Sequence, residues 1–298
     1  MPIHPWLAER FELIRDIPSF AAALADPHRY GQRLAGYLQD PEPWVPPAGI
    51  TIEDADAGGV PVKIFRPAAP AGGLLWLHGG GFVMGSVEDT ESVIPSAELA
   101  SRAGIVVVSA GYRLAVGGVR YPAPLEDAMT AWRWLGGQGF ARLFIGGASV
   151  GANLALGVCT RLRDSGEPLP LGMLLAYPLA HYPVPELEIP GMDAVPAMLR
   201  FPAEYRAGIL QNYLGRLDEL PEDVVPRSFA GLPEAWIAPA EFDDLRGSGE
   251  LLARQLTDAA VPAHLALAAG MVHGYLGRAP SLEPVDAVLE TFAAAMRA

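Results

Sequence analysis

The stretch Gly147-Ala148-Ser149-Val150-Gly151 lies between an apolar run, Leu143-Phe144-Ile145, and a helical run that begins at Ala152. A nucleophile on a sharp turn from a strand to a helix needs small residues two positions before and two after it, because the backbone there is strained and closely approached. Glycine fills both positions. The turn also puts Ser149 at a helix N-terminus, where backbone N–H groups favour developing negative charge. The stretch therefore predicts a serine nucleophile, with an ordinary glycine-rich loop as the alternative.

Short predicted strands alternate with predicted helices on both sides of this turn. The strands are expected at 50–55, 60–66, 73–77, 105–109, 142–146, 171–176, 234–238 and 263–268. The helices are expected at 91–102, 122–135, 247–259 and 284–297. Such alternation is typical of a mainly parallel sheet that is covered by helices on both faces. We therefore expect an α/β fold with one central sheet.

Two segments depart from the alternation. Residues 1–45 carry apolar side chains at helical spacing and end in a proline-rich linker. Residues 181–233 contain eight prolines and a helical stretch from about Ala203 to Leu214. We expect an N-terminal appendage over 1–47 and an insertion over 181–233, with the core formed by 48–180 and 234–298.

A second glycine-rich motif, His78-Gly79-Gly80-Gly81-Phe82, follows the strand predicted at 73–77. Three consecutive glycines let the main chain turn its N–H groups inward, which is what a tetrahedral oxyanion needs from donors about 3 Å away. A flexible turn is the alternative. The motif is the more specific of the two, because a run of this composition rarely arises by chance.

A serine hydroxyl needs a base, and the base needs an acceptor on its other ring nitrogen. Of the six histidines, His273 stands in a loop just past the last predicted strand, at the sheet edge where Ser149 also emerges. Asp243 and Asp244 follow the strand predicted at 234–238, and spacing alone does not separate them. Capping of the next helix is the alternative role, and it suits Asp244 better. The chain order serine, aspartate, histidine is that of α/β-hydrolases.

From about residue 60 to its end, the chain resembles the hormone-sensitive-lipase family of α/β-hydrolases, the bacterial carboxylesterases. The matching segments are 78–82, 112–115 with 121–128, 147–151, Asp243 with Leu245-Arg246, and His273-Gly274. In that family the aspartate precedes x-Leu-Arg, so the resemblance selects Asp243 and implies a triad of Ser149, Asp243 and His273. It also implies an oxyanion hole formed by the N–H groups of Gly80, Gly81 and Val150, and a cap built from residues 1–47 and 181–233.

The chain departs from the family pattern beside the nucleophile and after Tyr112. The family usually has an acidic residue where Ala148 stands and alanine where Val150 stands. Gly111 replaces a common aspartate, and Val116-Gly117-Gly118 replaces a common Pro-Glu. None of these positions belongs to the expected triad, so the departures bear on neighbouring contacts and on substrate preference.

Composition narrows the classes of function. Of 298 residues, 51% belong to the set AVILMFWYC, 18% are charged, and the formal net charge is −13. This charge repels polyphosphates, so nucleic acid is not an expected partner. Cys159 is the only cysteine, which leaves no intrachain disulfide or cysteine-based metal site. Lys63 is the only lysine and lies in a predicted strand, which argues against Schiff-base and Ser-Lys chemistry.

We expect a carboxylesterase-type serine hydrolase that acts on a small-molecule ester, uncharged and partly apolar, through an acyl-enzyme. No metal and no organic cofactor are expected to be required. An amide, carbamate or lactone hydrolase, or an acyltransferase, is the alternative enzyme, and a non-catalytic ligand-binding protein is the third reading. The N-terminus lacks the pattern of a signal peptide and no apolar run reaches about 18 residues, so a cytoplasmic location without integral membrane association is expected. The oligomeric state stays open, with a homodimer as one alternative.

Overall fold

A computed structural model describes residues 2–298, apart from the side chain of residue 24. The strands in this range are β1 (Ile50–Asp56), β2 (Pro61–Pro67), β3 (Gly73–Leu77), β4 (Val106–Ala110), β5 (Leu143–Ala148), β6 (Gly172–Ala176), β7 (Glu234–Ala238), β8 (Ala240–Phe242), β9 (Ala263–Leu265) and β10 (Ala268–Val272). The α-helices are α1 (Pro5–Ile14), α2 (Phe20–Ala25), α3 (Pro27–Leu38), α4 (Thr90–Ala103), α5 (Ala123–Gly136), α6 (Val150–Ser165), α7 (Ala203–Leu214), α8 (Arg246–Asp258) and α9 (Glu283–Arg297).

Eight strands form the central sheet in the order β1-β2-β4-β3-β5-β6-β7-β9. β1, β2 and β4 pair antiparallel, and the remaining neighbours pair parallel. The mainly parallel sheet predicted from the alternation is therefore confirmed. Parallel strands bring their carboxyl ends to one edge, where ligands of open α/β sheets bind.

The sheet lies between two apolar clusters, and each central strand contributes side chains to both, as β3 shows. Leu75 and Leu77 belong to the cluster that includes residues of α5 and α6. Leu74 and Trp76 belong to the cluster that includes residues of α4 and α9. Side chains alternate between the faces of a strand, so a strand that is buried on both faces carries apolar residues without interruption. This explains why the central strands are continuous hydrophobic runs in the sequence.

The strand predicted at 263–268 is wrong in its extent. Pairing with β7 ends at Leu265, and the chain then forms β10, which pairs parallel with β8 in a separate two-stranded sheet. No strand was predicted over Ala240–Phe242. The N–H of Ala268 donates to the carbonyl of Pro239, so the pairing partner changes within a few residues. The sequence does not indicate such a change of partner, because residues 263–272 are apolar almost without interruption and no turn residue stands between the two strands.

The N-terminal segment folds as α1 to α3 and is fastened to the core near the C-terminus. Arg278 donates from Nη1 to the carbonyl of Tyr37 at 2.9 Å, and the N–H of Ala279 donates to Asp40 at 2.9 Å. The insertion contains α7 and two 3₁₀ turns, Met192–Ala194 and Ala197–Leu199. Within residues 2–298, no helix has the length and apolar character that a bilayer crossing requires.

Candidate active site

Ser149 stands on the turn between β5 and α6 with φ 56° and ψ −116°, a region that residues other than glycine rarely adopt. The close packing of the two flanking glycines explains how the turn is held. A Cβ at Gly147 would lie 2.5 Å from the carbonyl oxygen of Leu77, and a Cβ at Gly151 would lie 2.0 Å from that oxygen and 2.4 Å from the carbonyl oxygen of His78. The sharp turn predicted from the sequence is therefore present, and both glycines are sterically required.

Gly151→Ala is expected to lower the free energy of unfolding by about 3 kcal/mol or more, because backbone atoms of β3 and of the following loop would have to move. Gly208→Ala is the matched control, since a Cβ there meets nothing within 4 Å and Gly208 lies inside α7. The control should gain about 0.5–1 kcal/mol from helix propensity. Urea unfolding of both variants measures the difference, and equal midpoints would contradict the steric argument.

The structure brings Ser149, His273 and Asp243 into one chain of hydrogen bonds. His273 Nε2 lies 3.0 Å from Ser149 Oγ, and His273 Nδ1 lies 2.7 Å from Asp243 Oδ2. Since a carboxylate only accepts, Nδ1 carries the hydrogen, and Nε2 is left to accept from the serine. Ser149 is 7% exposed and Asp243 is 1% exposed. This arrangement can activate a hydroxyl as a nucleophile.

The structure shows which of the two adjacent aspartates, Asp243 or Asp244, contacts the histidine. Asp243 contacts His273, and its Oδ1 accepts from the N–H of Leu245 at 2.9 Å. The helix-capping role considered for Asp244 is wrong, because α8 begins with no side-chain cap. Instead, Asp244 accepts two hydrogen bonds of 2.9 Å from the guanidinium of Arg200 and one of 2.7 Å from the N–H of Phe201. It therefore ties the insertion to the end of the strand that carries Asp243.

The loop after β3 presents free backbone donors beside the serine. Gly80 and Gly81 have φ of +104° and +61°. A Cβ at Gly80 would lie 2.1 Å from the carbonyl oxygen of Met84, so only glycine fits there. Within residues 2–298, the N–H groups of Gly80, Gly81 and Val150 donate to no protein acceptor. Unused donors at the start of α6 and in this loop are what an oxyanion hole requires.

A cavity of about 280 Å³ contains Ser149, His273 and the loop glycines in its wall. Both segments outside the core contribute to the wall, including the apolar residues Leu7, Phe20, Tyr37, Met198, Phe201 and Ile209. The Phe201 ring meets the His273 ring edge-on, with centroids 4.6 Å apart. The insertion therefore contacts the histidine directly.

Residues 74–277, about two thirds of the chain, match the model of a protein family that has the alpha/beta hydrolase fold. The chain belongs to the α/β-hydrolase fold family. Among curated proteins, this hydrolase is 34% identical to esterase LipI of Mycobacterium tuberculosis over 242 residues, which are 76% of the chain and 74% of the relative. It is 30% identical to ethyl acetate hydrolase of Pseudomonas putida over 278 residues, 85% of the chain and 82% of the relative.

Solved structures support the same placement of this α/β hydrolase. An esterase from the bacterial hormone-sensitive lipase family matches 100% of the chain and 99% of its own length, with a TM-score of 0.81 and 25% identity. A hyperthermophilic esterase from Pyrobaculum calidifontis matches 100% and 98%, with a TM-score of 0.80 and 26% identity. The predicted fold and family are thus confirmed, and the chain is an ester-cleaving serine hydrolase of the carboxylesterase type.

Two residues of the site of this hydrolase, Glu91 and Tyr177, were not predicted from the sequence. Glu91 accepts from the N–H of Gly79 at 2.8 Å and from the Tyr177 hydroxyl at 2.7 Å. The Tyr177 ring packs on the His273 ring, with centroids 4.7 Å apart. Tyr177 follows β6 at the sheet edge of the site, and that position was the one available signal. Glu91 gave none, because an acidic residue in the first turn of a helix is ordinary.

The pKa of His273 is set by opposing effects. Burial disfavours the protonated ring, but the charge and hydrogen bond of Asp243, together with the charges of Glu91 and Asp244, outweigh burial and raise the pKa above its ordinary value. A general base must be neutral to accept a proton. We therefore expect kcat/KM of this hydrolase to fall as the pH is lowered through the pKa of His273, which lies above the ordinary histidine value.

Glu91→Gln is expected to move this acid limb of the kcat/KM profile to lower pH, because it removes one negative charge that favours the imidazolium. Glutamine still offers an oxygen to Gly79 and a donor to Tyr177, so the loop should keep its shape. Glu88→Gln is the matched control, since Glu88 pairs with Lys63 at 3.0 Å and does not contribute to the pKa of His273. A limb that moves equally in both variants, or in neither, would contradict this electrostatic role.

Proposed function

We propose that the chain cleaves carboxylic esters of small, partly apolar molecules through an acyl-enzyme on Ser149. The observation that carries the proposal is the hydrogen-bonded chain from Asp243 through His273 to Ser149 in the wall of a largely apolar cavity. In this proposal the serine is the nucleophile, the histidine is the base, and the aspartate fixes the histidine tautomer.

Acylation begins when Ser149 Oγ attacks the ester carbonyl carbon while its proton passes to His273 Nε2. The carbonyl π electrons move to oxygen, and the N–H groups of Gly80, Gly81 and Val150 stabilise the resulting oxyanion. Asp243 stabilises the imidazolium through its 2.7 Å hydrogen bond to Nδ1. As the C–O bond to the alcohol breaks, Nε2 returns the proton to the leaving oxygen.

Deacylation repeats these steps with water as the nucleophile. His273 accepts a proton from the water, which attacks the acyl carbon of the serine ester and again forms an oxyanion at the same donors. When this second intermediate collapses, the proton passes from Nε2 to Ser149 Oγ and the acid leaves. Because each proton that is taken up is returned, the serine and the histidine are regenerated unchanged.

We propose that residues 1–47 and 181–233 act together as the cap that shapes the substrate cavity. Side chains from both segments lie in the cavity wall, among them Leu7 from the first and Ile209 from the second. An apolar wall binds the hydrocarbon part of an ester by removing it from water. Acyl chains that fill the cavity should therefore be cleaved with a higher kcat/KM than acetate, up to the length that the cavity admits.

A matched pair of substrates tests the ester against the amide alternative. p-Nitrophenyl butyrate and its p-nitroanilide carry the same acyl group and an equally visible leaving group. An amide requires stronger protonation of its nitrogen than an ester requires of its oxygen, and in the proposed mechanism His273 Nε2 supplies that proton. We expect kcat/KM for the ester to exceed that for the anilide by at least about a thousandfold. Comparable rates would favour an amide hydrolase.

A further inference from the structure

Arg206, on α7, is a charged side chain in the cavity wall that the proposed mechanism does not use. It is only 8% exposed. Its Nη1 donates to the backbone carbonyl of Asp244 at 3.0 Å. Among residues 2–298, no carboxylate lies within 4.0 Å of its guanidinium, and no other acceptor is bonded to it. Most of its five N–H donors are therefore left for whatever occupies the cavity.

The carboxylate of Asp244, the residue whose carbonyl accepts from Arg206, is already bonded to another arginine. Asp244 receives two hydrogen bonds from Arg200 and one from the N–H of Phe201. The group formed by Arg200, Asp244 and Arg206 thus carries one surplus positive charge. A buried guanidinium without its own carboxylate is costly, and proteins rarely keep one without a partner. Among residues 2–298, the donors of Arg206 other than the one bonded to Asp244 have no protein acceptor.

Arg278, the other arginine in the cavity wall, shows the contrasting case. Its Nη1 donates to the carbonyl of Tyr37 at 2.9 Å and lies 3.8 Å from Asp40. The rings of Trp6 and Tyr37 face its guanidinium at 5.4 and 4.6 Å. These contacts explain Arg278 as a residue that fastens the N-terminal segment to the core. Arg206 has no comparable set of partners.

We propose that Arg206 is a specificity-determining residue that binds an oxygen acceptor of the substrate, a carboxylate or a neutral carbonyl, separate from the ester that is cleaved. The inference rests on the proposed function, because the cavity is the one that contains Ser149. It narrows the substrate class expected from the composition. The apolar wall binds a hydrocarbon stretch, and the guanidinium binds an oxygen that this stretch carries.

Three p-nitrophenyl esters of equal chain length test the proposal: the hexanoate, the 5-oxohexanoate and the adipate monoester. Each acyl chain has six carbons, and the three bear no acceptor, a neutral carbonyl at C5 and a carboxylate at C6. Shorter and longer homologues, and acetyl esters of the matching alcohols, cover other distances and the alcohol side of the ester. For each compound, kcat/KM is compared between the wild type and Arg206→Met.

At one chain length or more, Arg206→Met should lower kcat/KM for an acceptor-bearing ester by about tenfold to a hundredfold, the value of a hydrogen bond to a charged group. The plain alkyl ester should change by less than about threefold, because it makes no such bond. A loss confined to the carboxylate series identifies an anionic substrate, and a loss in the carbonyl series identifies a neutral one. Equal changes in all three series at every length would overturn the proposal.

Two further variants separate recognition from structure. Arg200→Met removes the neighbouring guanidinium, which lies outside the cavity wall, and should change all three series by one common factor. Arg206→Lys keeps the charge and should retain part of the selectivity, and it replaces the methionine variant if that variant does not fold. Failure of the proposed function would look different, because the alkyl ester would then be cleaved equally well without the Ser149 hydroxyl.

Discussion

Ser149→Ala is expected to lower kcat for ester hydrolysis by about 10⁴–10⁶-fold, because it removes the proposed nucleophile. The residual rate over water would come from the oxyanion donors and from substrate binding. The fold should survive, since among residues 2–298 the serine hydroxyl bonds to His273 alone, and the N–H of Ser149 holds the strained turn by donating to the carbonyl of Ala176. Steady-state kinetics with p-nitrophenyl butyrate measure the effect.

Ser165→Ala is the matched control for this loss. Ser165 ends the helix that Ser149 begins, and its hydroxyl donates to the carbonyl of Leu162 at 3.2 Å, far along the helix from the site. Its kcat should equal that of the wild type. If Ser149→Ala keeps more than about a tenth of the wild-type kcat, the catalytic power lies elsewhere and the serine mechanism is wrong.

Asp243→Asn is expected to lower kcat by about 10⁴-fold while the protein stays folded. An asparagine can donate to His273 Nδ1, which moves the ring hydrogen to Nε2 and leaves the serine without an acceptor. The carboxylate would also no longer stabilise the imidazolium. Kinetics at a pH above the raised pKa of His273 isolate the tautomer effect from simple protonation.

Asp244→Asn, one residue away, is the matched comparison. It weakens the pair with Arg200 and should cost about 1–2 kcal/mol of stability, since the Arg200 side chain is partly exposed. Its kcat should stay within about tenfold of the wild type, because Asp244 does not touch His273. A larger kcat loss in Asp244→Asn than in Asp243→Asn would reverse the assignment of the acid.

The sequence predicts the parts of the fold and the site in which a steric requirement allows only one type of residue. Gly147 and Gly151 are two such positions, because the carbonyl oxygen of Leu77 leaves no room for a side chain at either one. The glycines after His78 indicate the loop after β3 for the same reason, since a Cβ at Gly80 would clash with the carbonyl oxygen of Met84. Their positions at strand ends then place both turns at one sheet edge, since parallel strands share that edge.

The remaining features depend on contacts between distant parts of the chain, and local pattern does not encode them. Asp244 looks like a helix cap until Arg200 of the insertion is seen beside it. No sequence pattern distinguishes Arg206 from the other arginines, and only the structure shows that it is buried in the cavity wall. The exchange of partners between β9 and β10 is likewise a tertiary event, because it depends on β7 and β8, which lie more than twenty residues earlier in the chain.

Labelling with a fluorophosphonate, mapped by peptide mass spectrometry, tests whether Ser149 is the activated nucleophile. The reagent reacts with a serine hydroxyl that is activated by a neighbouring base, and it leaves a stable adduct. We expect one adduct per chain, on Ser149, which forms in the folded protein and forms much more slowly in His273→Ala. Folded protein that hydrolyses esters but carries no adduct on Ser149, or carries it on another residue, would show that Ser149 is not the nucleophile.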